Sequence, residues 1–351
     1  MKKTIYSLGF CLVASQLSAQ VVSSTEFFVS DGAVVSFGTN VVNEGKMTNN
    51  GKIVLQKDFQ NSGEILSSGV VEFNGNGRQV LKSEKSISLA NVTLNNDVKL
   101  ETPLTVTQEL AFRRGVIESN ADSPLTFSSD ATHSGASDYS HVRGVVKRDG
   151  GANFEFPLGD GTNYRAFNAS NTEGNTLIAE YISKSPLNIS NDLSQQVDAI
   201  NENEFWSLRS SNASASAKVA LNNNSSNMEE VAYLKRGTWE VAEDAKFSAA
   251  TDLNNGTLFT YARARNIKPA IGIWPNPSDG VFNLKLSGMD DNEAIMVDVT
   301  NQDGRVVMHL DGSVKSLRKE YTLPNDLNAT ELTVRVIRGE KAMTQKLILN
   351  K

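Results

Sequence analysis

The segment Asn49-Asn50-Gly51-Lys52-Ile53 is repeated, with small changes, as Asn61-Ser62-Gly63-Glu64-Ile65 and as Ser67-Ser68-Gly69-Val70-Val71. Asn or Ser followed by Gly is typical of a tight turn, because these residues tolerate turn backbone geometry. The apolar residue after each glycine begins a short strand. The repeated unit therefore predicts short strands separated by Asn/Ser-Gly corners.

The spacing of the corners predicts how the strands stack. Glycines follow one another at 6, 12, 6 and 6 residues, at Gly45, Gly51, Gly63, Gly69 and Gly75. Apolar segments recur at about 20 residues, as in 103–106 and 124–127, and a period near 20 residues predicts a β-solenoid. We expect a solenoid similar to a parallel β-helix, with about five turns, over residues 20–165. An up-and-down antiparallel β-domain with the same turns is the alternative.

The solenoid region offers few residues for catalysis or metal binding. Solenoid lyases and hydrolases need carboxylates or basic residues in a column across turns, and the sequence shows no such column. The basic doublet Arg113-Arg114 is predicted to be a solvated turn, with a site for a sugar acid as the alternative. Two of the three histidines, in Asp130-Ala131-Thr132-His133 and Asp138-Tyr139-Ser140-His141, are predicted to lie in a polar surface loop. A metal site there is the alternative, although zinc needs three or four fixed ligands.

A strand and a hairpin follow, at Val142–Arg148 and Asn153–Arg165. Phe154 and Phe156 are predicted to face a core, and Asp160-Gly161-Thr162-Asn163 is predicted to be a structural turn, with a calcium loop as the alternative. The block resembles a Phe-Pro-Leu-Gly-x-Gly and Tyr-Arg block that is common in surface proteins of Bacteroidota. The Asn-x-Gly-x-Ile unit is in turn similar to repeats of filamentous adhesins.

Residues 166–262 predict a β-sandwich, because short alternating or apolar segments are separated by Gly and Asn clusters. Trp206 and Trp239 are predicted to anchor its core, and exposed sugar-stacking platforms are the alternative. Residues 192–201 predict one short helix. Residues 263–270 read as a linker into a last domain over residues 271–351.

The last domain opens with Trp274-Pro275-Asn276-Pro277-Ser278-Asp279-Gly280-Val281-Phe282-Asn283-Leu284. Two prolines fix φ, and Pro277 favours an extended Asn276. Ser278-Asp279-Gly280 predicts a turn, in which Gly280 is free to take φ > 0. The alternation from Val281 predicts a half-buried strand.

Residues 271–351 resemble the type A C-terminal sorting domain of cargo for the type IX secretion system of Bacteroidota. A middle block, 297–307, and a closing strand on a basic residue, 344–351, fit this family. One block departs from it, since Ala329–Val334 stands where the family usually has Gly-x-Tyr. The alternative is an immunoglobulin-like β-sandwich without a sorting role. The residues that carry the resemblance are Trp274, Pro275, Asn276, Pro277, Ser278, Gly280, Phe282, Gly304, Arg305 and Lys351.

The resemblance implies an immunoglobulin-like fold for the tail and transport of the preceding domains across the outer membrane. It implies the translocon and the sortase-like attachment machinery as partners, with surface lipopolysaccharide or an extracellular glycan as further candidates. In this family the tail is often removed, which would place a cut before Trp274.

The N-terminus predicts a secretory signal peptide over residues 1–19, with cleavage between Ala19 and Gln20. Lys2-Lys3 precede an apolar run that is too short to span a bilayer. Cys11, the single cysteine, lies inside this leader, so we expect no disulfide in the mature chain. The formal net charge of -6 becomes -8 without the two leader lysines, which argues against nucleic acid as a partner.

These observations predict an all-β protein that is secreted or attached to the cell surface. We expect a structural or adhesive role without catalysis, cofactor or metal. A carbohydrate-binding surface module is the first alternative, and a polysaccharide-active β-helix enzyme is the second.

Overall fold

The computed structural model describes residues 19–350, apart from 152, 172–174, 212–216, 222–227, 229, 242–247, 251–252, 254–255, 266–268, 325–326 and 328. The chain divides into two compact units, of which the first ends at Ala264 and the second begins at Arg265. Both are built almost entirely from strands. This confirms the predicted all-β class.

The first part of the first unit is a β-solenoid with three strands to a turn. Its strands pair in parallel with strands one turn away, so that Val41 lies beside Phe59 and Met47 beside Ile65. The backbone makes about six turns and begins another, rather than the predicted five or so, because two long strands pass through corners that carry no Asn/Ser-Gly signal. The parallel pairing excludes the up-and-down alternative for this region.

The solenoid strands are β1 (Gln20–Ser23), β2 (Glu26–Val29), β3 (Val34–Phe37), β4 (Asn40–Asn43), β5 (Lys46–Asn49), β6 (Lys52–Leu55), β7 (Phe59–Asn61), β8 (Glu64–Ser67), β9 (Val70–Phe73), β10 (Gln79–Ser83), β11 (Ile87–Asn95), β12 (Val98–Leu100), β13 (Leu104–Glu118), β14 (Leu125–Phe127), β15 (Thr132–Ser134), β16 (Ser140–Arg143) and β17 (Val145–Asp149).

The glycine corners stack on one another across turns. A Cβ added to Gly63 would lie 1.9 Å from the carbonyl oxygen of Gly45, and one added to Gly69 would lie 2.1 Å from that of Gly51. Asparagines form a ladder beside them, since Asn43 Nδ2 donates to Asn61 Oδ1 at 2.7 Å across 18 residues. The repeated Asn/Ser-Gly unit therefore marks positions where backbones approach closely and amide side chains pair between turns.

The solenoid continues into a β-sandwich without a break in the hydrophobic core. Strand β17 pairs in parallel with β14 and antiparallel with a sandwich strand, Thr176–Ile182. One core cluster extends from Val29 in the solenoid to Tyr261 in the sandwich. Trp206 and Trp239 are fully buried, as predicted for core anchors.

The sandwich contains two mainly antiparallel sheets. Residues 192–201 form two strands and not the predicted helix, because they pair with the strands Thr238–Val241 and Thr257–Ala264. A short 3₁₀ turn covers Pro186–Asn188. The remaining strands are β18 (Asn153–Phe156), β19 (Phe167–Asn171), β20 (Thr176–Ile182), β21 (Asp192–Leu193), β22 (Val197–Ile200), β23 (Phe205–Ser210), β24 (Ala217–Leu221), β25 (Glu230–Lys235), β26 (Thr238–Val241), β27 (Ser248–Ala250) and β28 (Thr257–Ala264).

The second unit is a small antiparallel sandwich with its own core, as the immunoglobulin-like prediction required. One sheet has three strands and the other has four, and the neighbouring strands of each pair antiparallel. Buried side chains from both sheets, among them Phe282, Val299 and Val334, form the core. Its elements are β29 (Ala270–Trp274), β30 (Val281–Ser287), β31 (Ala294–Thr300), β32 (Val306–Ser313), α1 (Val314–Leu317), β33 (Glu320–Thr322), β34 (Glu331–Arg338) and β35 (Lys341–Ile348).

The predicted linker, 263–270, overlaps the strands at both of its ends, so the segment between the strands is shorter than predicted. Arg263 and Ala264 end β28, and Ala270 begins β29. Among the described residues, none of the helical segments has the length and apolar character needed to cross a membrane.

Candidate functional site

The Trp-Pro-Asn-Pro-Ser stretch connects the first two strands of the second unit. Trp274 ends β29 with its side chain 73% exposed. The Trp274–Pro275 and Asn276–Pro277 peptide bonds are both cis. Gly280 has φ +101°, and a Cβ added to it would meet no atom within 4 Å, so the backbone angle rather than crowding favours glycine there. Strand β30 follows with the predicted alternation of exposed and buried side chains.

Ser278 organises the turn that the sequence predicts. Its side chain is buried, and its Oγ donates to the carbonyl of Val281 at 2.6 Å. The same Oγ accepts from the Gly280 N–H at 3.1 Å. Because both polar functions of the hydroxyl are used locally, the serine fixes the start of β30.

The motif also holds the end of the chain. The amide of Asn276 donates to the carbonyl of Lys346 and accepts from the N–H of Ile348, both at 2.8 Å. The N–H of Ser278 donates to the carbonyl of Ile348 at 2.9 Å, and its carbonyl accepts from the N–H of Asn350 at 2.9 Å. We call Asn276, Ser278 and the segment 346–350 the C-terminal clamp.

The clamp makes the first and last motif blocks of the tail one structural feature. A side-chain amide has both N–H donors and a carbonyl acceptor, so Asn276 can pair as a backbone peptide does and extends the pairing at the end of β35. Asp279 adds a further bond, accepting from Asn350 Nδ2 at 2.8 Å. Lys351, the predicted closing residue, lies outside the described residues.

The middle motif block forms a hairpin turn between β31 and β32. Asn301 Oδ1 accepts from the N–H groups of Asp303 and Arg305, at 3.1 and 2.9 Å. Gly304 has φ +79°, and both Gly304 and Arg305 are exposed. The structure thus places these two motif residues on a surface turn, whereas Phe282 is buried in the core against Tyr321.

His309 lies on the exposed face of β32 in the same unit. Its Nδ1 lies 2.6 Å from Asp298 Oδ1, and its Nε2 lies 3.0 Å from Asp311 Oδ2. The hydrogen bond to Asp298, followed by the one to Asp311, raises the pKa of the His309 imidazole above its usual value.

The prediction of a polar surface loop is wrong for the two histidine rings, because His141 is buried and His133 is half-buried against phenylalanine rings. His133, in β15, donates from Nε2 to the carbonyl of Glu155 at 2.7 Å and contacts three phenylalanine rings. Burial lowers the pKa of His133, and the bond to Glu155 only partly offsets this. His141 Nδ1 donates to the carbonyl of Ser137 at 3.0 Å, and its Nε2 accepts from the Gly161 N–H at 2.9 Å. Both histidines therefore hold the fold together.

Other polar candidates in the first unit also make structural contacts. Arg113 and Arg114 are exposed, as predicted, and they lie where strand β13 passes through a corner before Gly115, rather than in a separate turn. Asp160 accepts from the N–H groups of Thr162 and Asn163, at 2.7 and 2.6 Å, which confirms the structural turn. Across the part of the chain that the structure describes, no group of three or more His, Cys, Asp or Glu side chains could hold a metal ion.

The Tyr-Arg pair of the resembling block secures the junction with the sandwich. Tyr164 donates to Glu155 Oε1 at 2.6 Å, and Arg165 Nε donates to Glu204 Oε2 at 3.0 Å. Glu204 is buried and also accepts from Tyr181 at 2.8 Å. The guanidinium and these donors satisfy a carboxylate that would otherwise be costly to bury.

At the other end of the chain, the predicted cleavage residues Ala19 and Gln20 are exposed, and β1 begins at Gln20. Residues 1–18 of the predicted leader, 1–19, lie outside the described residues.

Sequence reasoning missed two features. One is the grip of Asn276 on β35, which depends on residues about 70 positions away. The other is an open cavity beside Tyr139, a residue quoted only as part of the histidine loop. An aromatic residue between Asp and Ser in a predicted turn is the signal that could have drawn attention to it.

The comparisons with known proteins concern the second unit. Residues 272–350 match the family described as secretion system C-terminal sorting domain. The match runs through Ala329–Val334, where the motif departs from the family pattern, and Leu332 of this block is buried in the core. A comparison of the chain with curated proteins finds no match. The C-terminal unit is thus a secretion system C-terminal sorting domain, which marks the chain as a cargo protein of the type IX secretion system, destined for secretion or the cell surface.

Proposed function

We propose that the first unit is a non-catalytic passenger with a structural or adhesive role on the cell surface. The observation that supports it most directly is the attachment of a sorting domain to a solenoid whose candidate catalytic groups serve packing. A catalytic imidazole has to reach a substrate, whereas His133 packs against phenylalanine rings with its Nε2 bonded to backbone, and His141 has both ring nitrogens bonded to backbone.

The architecture suits a mechanical or adhesive task. A solenoid is held by parallel backbone pairing repeated over many turns, and its sides offer an extended surface. The route outward uses the signal peptide and the inner membrane, then the translocon and the sortase-like attachment machinery. Surface lipopolysaccharide is the proposed anchor, and an extracellular glycan is a further candidate partner.

Deletion of the gene that encodes this chain tests the proposal. We expect the deletion strain to lose part of its adhesion or biofilm mass and to regain it when the full chain is supplied in trans. Unchanged adhesion, biofilm and surface composition would contradict the proposed role. The conclusion that the chain is exported does not depend on that result.

A further inference from the structure

We infer that the cavity beside Tyr139 on the side of the solenoid binds a neutral saccharide. The inference rests on the proposed function and gives its adhesive role a ligand class. The cavity is open and has a volume of about 550 Å³, and its lining includes Asp97, Arg114, Asp138, Tyr139 and Thr162. All of these residues belong to the first unit.

The backbone of Tyr139 is held in place from two sides. Ser137 and Ser140 exchange backbone hydrogen bonds of 2.8 and 3.0 Å, so Asp138 and Tyr139 form the tip of a tight turn. The carbonyl of Tyr139 accepts from the N–H of Gly115, one turn of the solenoid away, at 2.9 Å. Since His141 also donates to the carbonyl of Ser137, the turn is fixed before any ligand arrives.

The side chain of Tyr139 nevertheless remains in water. It is 83% exposed, the highest value among the exposed large hydrophobic side chains of the described residues. An aromatic ring with few rotatable bonds on a fixed backbone offers an apolar face at little entropic cost. The apolar C–H face of a sugar ring fits such a surface, whereas a ring needed for the core would have been buried.

The polar lining around the ring suits hydroxyl groups. Asp97 Oδ1 accepts from the N–H of Val116 at 2.8 Å, and Asp138 Oδ1 accepts from the N–H of Tyr164 at 2.7 Å. These bonds orient each carboxylate, which has capacity for further donors at its second oxygen. Arg114 is exposed and makes one bond to the carbonyl of Asn95, so its guanidinium can donate to sugar oxygens.

The charges favour a neutral ligand over an acidic one. Two carboxylates and one guanidinium line this cavity, the neighbouring Arg143 guanidinium is paired with Glu118, and the whole chain has a net charge of -6. A uronic acid polymer or a nucleic acid would meet net repulsion here. A few polar groups around an apolar platform in a cavity of this size are typical of a small-molecule site.

Binding of the full chain to immobilised oligosaccharides tests the inference. The probes are hexasaccharides of glucose, mannose, galactose and xylose, with hexagalacturonate as the acidic comparison. We expect at least one neutral hexasaccharide to be retained in preference to hexagalacturonate. Tyr139→Ala should weaken that binding by about tenfold or more, because the stacking surface is lost, and Tyr139→Phe should retain most of it.

Two further variants separate the site from a general loss of structure. Asp97→Asn should weaken binding while its side-chain oxygen still accepts from the Val116 N–H. Phe28→Ala, which removes an exposed aromatic side chain elsewhere on the solenoid, should bind like the wild type. The inference is overturned if the wild type retains no neutral hexasaccharide, or if Tyr139→Ala binds as well as the wild type does.

Comparing adhesion of the strains with saccharide binding by the purified chains separates a failure of this inference from a failure of the proposed function. If the deletion strain loses adhesion but the purified chain binds no neutral hexasaccharide, the adhesive role stands and the saccharide site falls. If Tyr139→Ala complements adhesion as fully as the wild type, the site is not the adhesive surface.

Discussion

The side-chain amide of Asn276 pairs with the backbone near the end of the second unit, as a neighbouring strand would. This amide bonds to Lys346 and Ile348 across 70 and 72 residues. We predict that Asn276→Ala speeds the exchange of the Ile348 amide hydrogen about five- to tenfold, because a net hydrogen bond contributes about 1 kcal/mol. Hydrogen exchange on the full chain measures this directly.

The matched control for the clamp is Asn292→Ala. Asn292 is an exposed asparagine of the same unit that lies outside the clamp. It should leave the exchange of Ile348 unchanged. Equal rates at Ile348 in Asn276→Ala and in the wild type would show that the clamp does not hold the chain end.

The pKa values of two histidines should depart in opposite directions from the ordinary value of 6.5. Burial lowers the pKa of His133, while Asp298 and then Asp311 raise the pKa of His309. A nuclear magnetic resonance titration of the ring protons should give His309 the higher pKa. The reverse order would contradict the contacts described for both rings.

The stability of the two units should therefore respond differently to pH. As the pH falls, His133 takes up a proton in the unfolded chain, at its ordinary pKa, before it does so in the folded chain. The contribution of His133 is therefore complete above about pH 6.5 and is lost as the pH falls below it. For His309 the contribution is complete below its ordinary pKa and is lost as the pH rises through the raised value. His133→Gln should reduce the difference between the denaturant midpoints of the first unit at pH 7.5 and at pH 5.5. The fluorescence of the buried tryptophans of this unit measures both midpoints.

At the scale of the element, the stacked corners decide whether the solenoid can form. A Cβ at position 63 would lie 1.9 Å from the carbonyl oxygen of Gly45, so one of two backbones would have to move. We predict that Gly63→Ala lowers the free energy of unfolding by about 2 kcal/mol or more. Chemical denaturation followed by circular dichroism checks this.

Gly77→Ala is the control for the corner. A Cβ at Gly77 meets no atom within 4 Å, so we expect a change within about 0.5 kcal/mol. Equal stability of Gly63→Ala and Gly77→Ala would mean that the corners are not in the close contact described.

The sequence predicted those elements whose signals are local. The Asn/Ser-Gly corners and the alternation in β30 depend on adjacent residues, so the solenoid and the first strand of the tail could be recognised. The number of turns was underestimated because β11 and β13 continue through corners that lack the Asn/Ser-Gly pair. Residues 192–201 were misassigned because pairing with distant strands, and not helix propensity, determines their conformation.

The candidate site was predictable only as motif residues. Nothing near Asn276 indicates that its amide reaches Lys346, because that contact depends on how the two sheets close. The packing of His133 and His141 was missed for a similar reason, since His141 is buried and His133 is half-buried only once neighbouring turns contact them.

At the scale of the molecule, the family suggests that the tail is temporary. We predict that mass spectrometry of the surface-located protein finds peptides of the first unit and none beyond about Trp274. The described linker residues on either side of 266–268 are exposed, as a protease requires. Recovery of peptides from β35 in the mature surface form would contradict removal of the tail and leave export intact.

The second unit acting as the export signal is the central claim for the whole molecule. The direct measurement compares the full chain with a chain ending at Ala264, in a host that has the type IX machinery, by quantifying each protein in the medium and on the protease-accessible cell surface. We predict that the full chain reaches the outside of the cell and that the shortened chain stays in the periplasm, without crossing the outer membrane. Equal amounts of both proteins outside the cell would contradict the claim.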